Sequence, residues 1–111
     1  MVRVHVKRHQ GIIQEVEIRD HAGYADAGQD LVCAGVSSIA VGMMNALDEM
    51  VPEACDFVLK EAYIKIETIL PDATAGILLQ GMYYQLSTMQ ESYADYITIN
   101  DQEAVSYTHL R

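Results

Sequence analysis

Val2-Arg3-Val4-His5-Val6-Lys7, the polar Arg8-His9-Gln10-Gly11, and Ile12-Ile13-Gln14-Glu15-Val16-Glu17-Ile18-Arg19 decide the sheet. Val2, Val4 and Val6 fall on one side of a period-2 segment, and Ile12, Val16 and Ile18 continue an apolar face in a second one after the turn. The pattern predicts a β-hairpin. Its other face takes Arg3, His5, Lys7, Glu15, Glu17 and Arg19, where opposite charges across the strands each contribute about 0.2–1 kcal/mol.

Working outward, residues 20–30 hold Gly23, Gly28 and small or polar neighbours with no regular period, so a loop is expected. From Leu31 to Val51 the apolar residues Val32, Val36, Ile39, Met43, Leu47 and Met50 recur at three- and four-residue steps, which predicts a helix lying on the sheet and ended by Pro52. Residues 62–69 alternate as a strand, with a shorter partner around Asp56 to Leu59. Pro71-Asp72 offers an N-cap to a second helix whose buried face is Leu78, Met82, Leu86, Met89 and Tyr93. Gly76 and Gly81 inside that helix suggest close approach to another element. Tyr96-Ile97-Thr98-Ile99 reads as the last strand. The fold class is therefore α+β, two layers, with two helices packed on one mainly antiparallel sheet in the order ββαβαβ. One domain is expected over residues 1–100, with 101–111 a disordered or non-native tail.

Composition narrows the function. With 7 basic against 16 acidic residues and a formal net charge of −9, the chain lacks the clustered cations that neutralise phosphates, so no direct nucleic-acid binding is expected. A basic protein partner suits the sign better. Two cysteines, Cys33 and Cys55, form neither a disulfide framework nor a zinc-ligand pattern, which points to a reducing, cytoplasmic setting. His5 and His9 sit on a strand and a turn, so neither metal nor cofactor is expected. The alternating start and the short apolar run from Leu31 to Met44 give no expectation of a membrane span.

Chemistry concentrates between His21, at a strand end, and Cys33, near a helix start. If Asp30 caps the helix, Cys33 is its third residue, where open N–H groups favour a thiolate and could hold an oxyanion. Asp30 could instead hold His21 in one tautomer, though the cap is the favoured role, and close to Cys33 its charge would oppose thiolate formation. Ser37, one helical turn after Cys33, could bond into the site or simply pack. On residue types alone two readings stand side by side: an activated Cys–His pair, or a small buried cysteine with an unrelated loop histidine. A redox pairing of Cys33 with Cys55 has no spacing to support it, and Cys55 reads as structural.

His21-Ala22 followed by Gly28-x-Asp30-Leu31-Val32-Cys33-Ala34-Gly35-Val36-Ser37 resembles the ribosomal-processing cysteine protease family called Prp, and the segment order over residues 1–100 is similar. The resemblance implies a specific endopeptidase that removes the N-terminal extension of a large-subunit ribosomal protein, the one numbered twenty-seven. It places the nucleophile on Cys33 and the histidine base on His21, with Asp30 and Ser37 at supporting positions. It further implies a homodimer and a substrate loop in which Gly23 and Gly28 supply hinges. Tyr24 in that loop is a candidate substrate contact or a solvent-exposed bystander. Asp20 stands where family members have Gly, and Ala104 to Arg111 has no counterpart. A noncatalytic ribosome-assembly or protein-binding module is the alternative from a different class.

Overall fold

The computed structural model describes residues 1–20 and 27–103, with side chains throughout those ranges except at 27–29. Strands β1 (Val2–His9) and β2 (Ile12–Arg19) pair antiparallel through the two-residue turn Gln10–Gly11. Both turn residues have positive φ, 54° and 81°, the twist a two-residue hairpin requires and which glycine adopts without strain. The pairing slips within the hairpin: Lys7 faces Glu15 but Arg8 faces Ile13, which leaves Gln14 as an extra residue in β2. The bulge reverses the alternation on its turn side. Ile13, not the expected Ile12, joins Val16 and Ile18 in the core, while Ile12 is 59% exposed.

Helix α1 (Ala27–Met50), strands β3 (Cys55–Lys60) and β4 (Tyr63–Thr68), helix α2 (Ala73–Ser92) and strand β5 (Ile97–Glu103) complete the order ββαββαβ. The extra strand relative to the expected ββαβαβ is β3, a full six-residue edge strand whose half-exposed residues alternate weakly. The sheet runs β3-β4-β2-β1-β5, antiparallel except for the parallel pair β1–β5. Nine apolar side chains of one sheet face, among them Val4, Val16, Ile64, Ile66 and Ile97, meet both helices in a single core, which is the two-layer α+β plan expected.

The helices differ from expectation in detail. Asp72 caps α2 as predicted, its carboxylate accepting the Ala75 N–H at 2.9 Å. Leu79 rather than Leu78 is fully buried, because the run Ile77-Leu78-Leu79 is apolar on every side and periodicity cannot choose among its members. A Cβ on Gly76 would lie 3.2 Å from Ile12 Cγ2, a true close approach, whereas one on Gly81 would meet nothing within 4 Å. In α1, Val32, Val36, Ala40 and Leu47 face the core and Met50 does not. The segment Asp30–Met50 is, by length and composition alone, long and apolar enough to cross a membrane, unlike the shorter run read from the sequence. Strand β5 continues to Glu103, so residues 101–103 belong to the sheet and not to a tail. Residues 104–111 lie outside those described.

Ala62, in the β3–β4 turn, has φ 58°. An L-residue is strained there by about 1–2 kcal/mol, and glycine would relieve this while adding freedom to the unfolded chain. Ala62→Gly is expected to stabilise the fold by about 0.5–1 kcal/mol, read as a rise in the urea midpoint with an unchanged slope. A lower midpoint would contradict the strain argument.

Candidate active site

Strand β2 delivers the chain to Asp20, the last residue described before the histidine segment. His21, Gly23 and Tyr24 lie outside the described residues. Asp20 has φ 62°, a left-handed conformation that glycine adopts freely and aspartate tolerates better than most residues. That accounts physically for the departure noted above: the backbone here is one that suits Gly, and Asp can follow it. Two bonds fix Asp20. Its N–H donates to the Ala62 carbonyl at 3.1 Å, and its carboxylate accepts from Arg3 Nη1 at 2.6 Å.

Helix α1 begins earlier than the periodicity indicated, at Ala27, because Ala27, Gly28 and Gln29 carry no apolar signal from which a start could be read. Gly28 is thus the second helical residue and not part of a loop. Asp30 is the fourth, exposed in the first turn, and is not the N-cap. Its charge still lies where the helix dipole favours an anion. Cys33 becomes the seventh residue. Its amide falls within the helix's own hydrogen-bond ladder, so the open N–H groups belong to the preceding turn and the expected oxyanion donors beside Cys33 are not supplied by α1 at that position.

Asp30, Cys33 and Ser37 follow one another at three- and four-residue steps and so share one side of α1. Cys33 is half-buried, packed against the core without being sealed in it, and Ser37 is likewise half-buried. Two residues beyond the cysteine, a Cβ on Gly35 would stand 2.7 Å from Met89 Cε, so α2 presses closely on this turn of α1. From the sequence Met89 was read only as part of the buried face of α2, and Arg3 only as a charge on the open face of the hairpin, neither as a neighbour of the site. The hairpin register, which sets Arg3 opposite Arg19 and therefore beside Asp20, was the signal that could have found Arg3.

The second cysteine differs in every respect. Cys55 starts β3, is buried, and touches Thr68 Oγ1 at 3.9 Å; burial pushes its thiol up, away from thiolate. Neither cysteine is in a disulfide. On the open face of the sheet, Glu17 accepts from Arg19 at 2.9 Å and from the Tyr63 hydroxyl at 2.7 Å. The Arg19 bond, aided by Tyr63 against some desolvation, brings its carboxyl down to about 2. Among the described residues no group of His, Cys, Asp and Glu is arranged to hold a metal. An apolar groove of about 830 Å³ lies between the β1–β2 turn and the first half of α2, lined by Ile12, Gly76 and Ile77 among others and by none of the predicted site residues.

The described residues set a half-buried cysteine on the first helix of a two-layer α+β frame, and it is the comparison with known proteins that gives the class, a cysteine endopeptidase. The model of the family described as cysteine protease Prp matches residues 1–98, and the chain belongs to that family. It is 31% identical over 107 residues to the ribosomal processing cysteine protease Prp of Bacillus subtilis, covering 89% of this chain and 96% of the relative. It is 29% identical over 94 residues to the Prp of Staphylococcus aureus, covering 82% and 89%. Among solved structures it resembles the essential ribosomal processing protease Prp of S. aureus in complex with a substrate peptide, with TM-score 0.86 and 26% identity over 92% of this chain and all of the other. The same S. aureus protease with a covalently linked product peptide gives TM-score 0.82 and 27% identity over the same shares. Family membership sets aside the noncatalytic module.

Proposed function

We propose that the chain removes the N-terminal extension of the large-subunit ribosomal protein numbered twenty-seven, with Cys33 as nucleophile and His21 as general base. The observation that carries the choice of nucleophile is the contrast between the two cysteines: Cys33 is half-buried on α1, while Cys55 is enclosed and its thiol held protonated by burial. The covalently linked product peptide of the S. aureus relative supports a covalent route.

In that route His21 takes the thiol proton and Cys33 Sγ attacks the scissile carbonyl carbon. The C–N bond then breaks and the amine leaves with a proton returned by His21. A thioester remains on Sγ. Water, deprotonated by His21, attacks it, releasing the acid product and restoring the thiol. Because Cys33 lies in the second turn of α1, the imidazole supplies more of the thiolate's stabilisation than the helix terminus, whose influence falls off within the first turn. Gly23 and Tyr24 belong to the substrate loop in this reading, Gly28 to the helix start that anchors it, and Asp30 and Ser37 to the flanks of Cys33.

The same reading includes a cytoplasmic homodimer and a basic substrate attracted by the net charge of −9. The exposed Leu31 and Val41 of α1 suit a face covered by a second copy. Incubation with the extended ribosomal protein, followed by mass measurement of the new N-terminus, tests the assignment. One clean cut near the start is expected, with kcat/KM falling several-fold between about 50 and 200 mM salt as the steering field is screened. An uncut substrate would overturn the substrate assignment, and a salt-independent rate would remove the electrostatic part of it.

A further inference from the structure

We propose that the end of the molecule opposite Cys33 is an exosite: an apolar strip ringed by carboxylates that seats a cationic, apolar-tipped segment of the protein substrate, on the C-terminal side of the cut. The inference rests on the protease reading given above and deepens it by placing the body of the substrate.

The hairpin irregularity builds the strip. Because the bulge at Gln14 sends Ile13 into the core, Ile12 stays outside beside the β1–β2 turn and comes against α2 at Gly76, where a Cβ would stand 3.2 Å from its Cγ2. Ile77, the next residue of α2, is 73% exposed, the most open large apolar side chain among the described residues. The cavity of about 830 Å³ that these residues line continues past Pro71 and Asp72 into a second hollow, which reaches Leu70 and Met50 at the end of α1. Leu70 and Met50 are also more than half exposed. Contiguous apolar surface of this kind, rimmed by polar groups, marks a place where something docks.

The rim carries one sign of charge. Glu53 and Asp72 line the strip, and Glu103 holds the Gly11 N–H at 2.8 Å at its hairpin end. Asp48 and Glu49 stand exposed in the last turn of α1, where the helix terminus adds negative partial charge and no basic residue offsets it. No lysine or arginine, and one histidine, His9, is among the residues lining either hollow. Arg8, which reaches the wall at Gln80, is paired with Asp101 at 2.8 Å, and Lys7 lies 3.5 Å from Glu15. Such a rim repels an acidic chain, a second copy at −9 included, and attracts a basic one.

Two helices measure the separation from the nucleophile. Along α1, Cys33 to Met50 spans about 25 Å at 1.5 Å per residue. Along α2, the span from Met89, which packs on Gly35 in the cysteine's part of α1, to Ile77 is about 18 Å. An extended chain covers those distances in about six to eight residues. The strip is therefore beyond a peptide that ends just past the cut and within reach of a whole protein.

The test compares the extended ribosomal protein with a short peptide ending about three residues after the cut. In Ile77→Gln, KM for the protein should rise about five- to tenfold with kcat unchanged, while the short peptide is cleaved as by the wild type. In Glu53→Lys it should rise about threefold at about 50 mM salt, with the difference fading by about 500 mM. Both side chains are exposed, so urea midpoints should match the wild type. An unchanged protein KM in Ile77→Gln overturns the inference, as does an equal rise for the short peptide, which would place the effect in the fold or at Cys33. Loss of a dimer on sedimentation of Ile77→Gln would give the strip to a second copy and overturn it too. The two levels separate in the wild type: if it cuts both substrates and Ile77→Gln does not respond, the exosite alone fails, whereas if it cuts neither, the protease reading fails and the exosite with it.

Discussion

Cys33→Ala should abolish peptide cleavage, by at least about 10³-fold in kcat, while the melting temperature stays within a few degrees of the wild type. The first half follows from the chemistry: without sulfur there is no covalent acceptor, and neither His21 nor Ser37 supplies an equivalent nucleophile at that point. The second follows from packing. Cys33 is half-buried, so trimming it to alanine removes one atom from a residue that is not sealed in the core, and the cavity left is smaller than the one that makes fully buried truncations expensive. The matching substitution Cys55→Ala should behave in the opposite way, costing about 1 kcal/mol of stability and leaving cleavage intact, because Cys55 serves the core at the start of β3. The pair of results would assign the chemistry by contrast. Full cleavage by Cys33→Ala would remove the nucleophile, and loss of cleavage in a folded Cys55→Ala would transfer suspicion to the second thiol.

The hairpin, the two helices and the layer plan were legible in the sequence because each rests on a period that burial imposes. Val2, Val4 and Val6 could be placed on the core face from spacing alone, and Asp72 as a cap from its position after Pro71 and before an apolar run. What was not legible has a common cause. The bulge at Gln14 shifts the inward positions of β2 by one residue, and nothing in Ile12-Ile13 says which isoleucine is buried until the partner strand sets the register. The first turn of α1 is made of Ala27, Gly28 and Gln29, which have no apolar face to announce it, and its carbonyls are bonded only by residues of the next turn. That early start moved Cys33 from the third to the seventh helical position and removed Asp30 from the cap. The residue types of the site could thus be read from spacing, whereas the electrostatic account of Cys33 could not, because a helix dipole acts over one turn and the error was a turn. The meaning of Asp20 was hidden for the same reason: its partners Arg3 and Ala62 are 17 and 42 residues away, and only strand pairing brings them together.

Arg8→Met is expected to be the most damaging single change to the fold outside the apolar core, destabilising it by about 1–2 kcal/mol and lowering the melting temperature by roughly 5–10 °C. The guanidinium sits where the bulge turns β1, only 15% exposed, and serves four partners at once. Its Nε donates to Asp101 at 2.8 Å, Nη1 donates to the Gly11 carbonyl at 2.9 Å and to Gln80 Oε1 at 2.8 Å, and its plane lies 5.0 Å over the Tyr83 ring. One side chain therefore ties β1 to the hairpin turn, to α2 and to the far end of β5. Asp101 in return holds the Arg8 proton more firmly than usual. Methionine can fill the stem's space but gives up the bonds to Asp101, Gly11 and Gln80 and the stacking on Tyr83 together; water can reach the exposed Asp101, so it is the summed loss of these links that sets the magnitude. Arg8→Lys should recover only part of the loss, since an ammonium cannot fork between Asp101, Gly11 and Gln80 or stack on Tyr83. Ending the chain after Asn100 should cost about as much as Arg8→Met, because it removes Asp101 together with Glu103, whose Oε1 accepts the Gly11 N–H at 2.8 Å. Urea titration of the three variants decides the matter: an Arg8→Met midpoint within about 0.5 kcal/mol of wild type would mean that the parallel β1–β5 pair holds without its clamp.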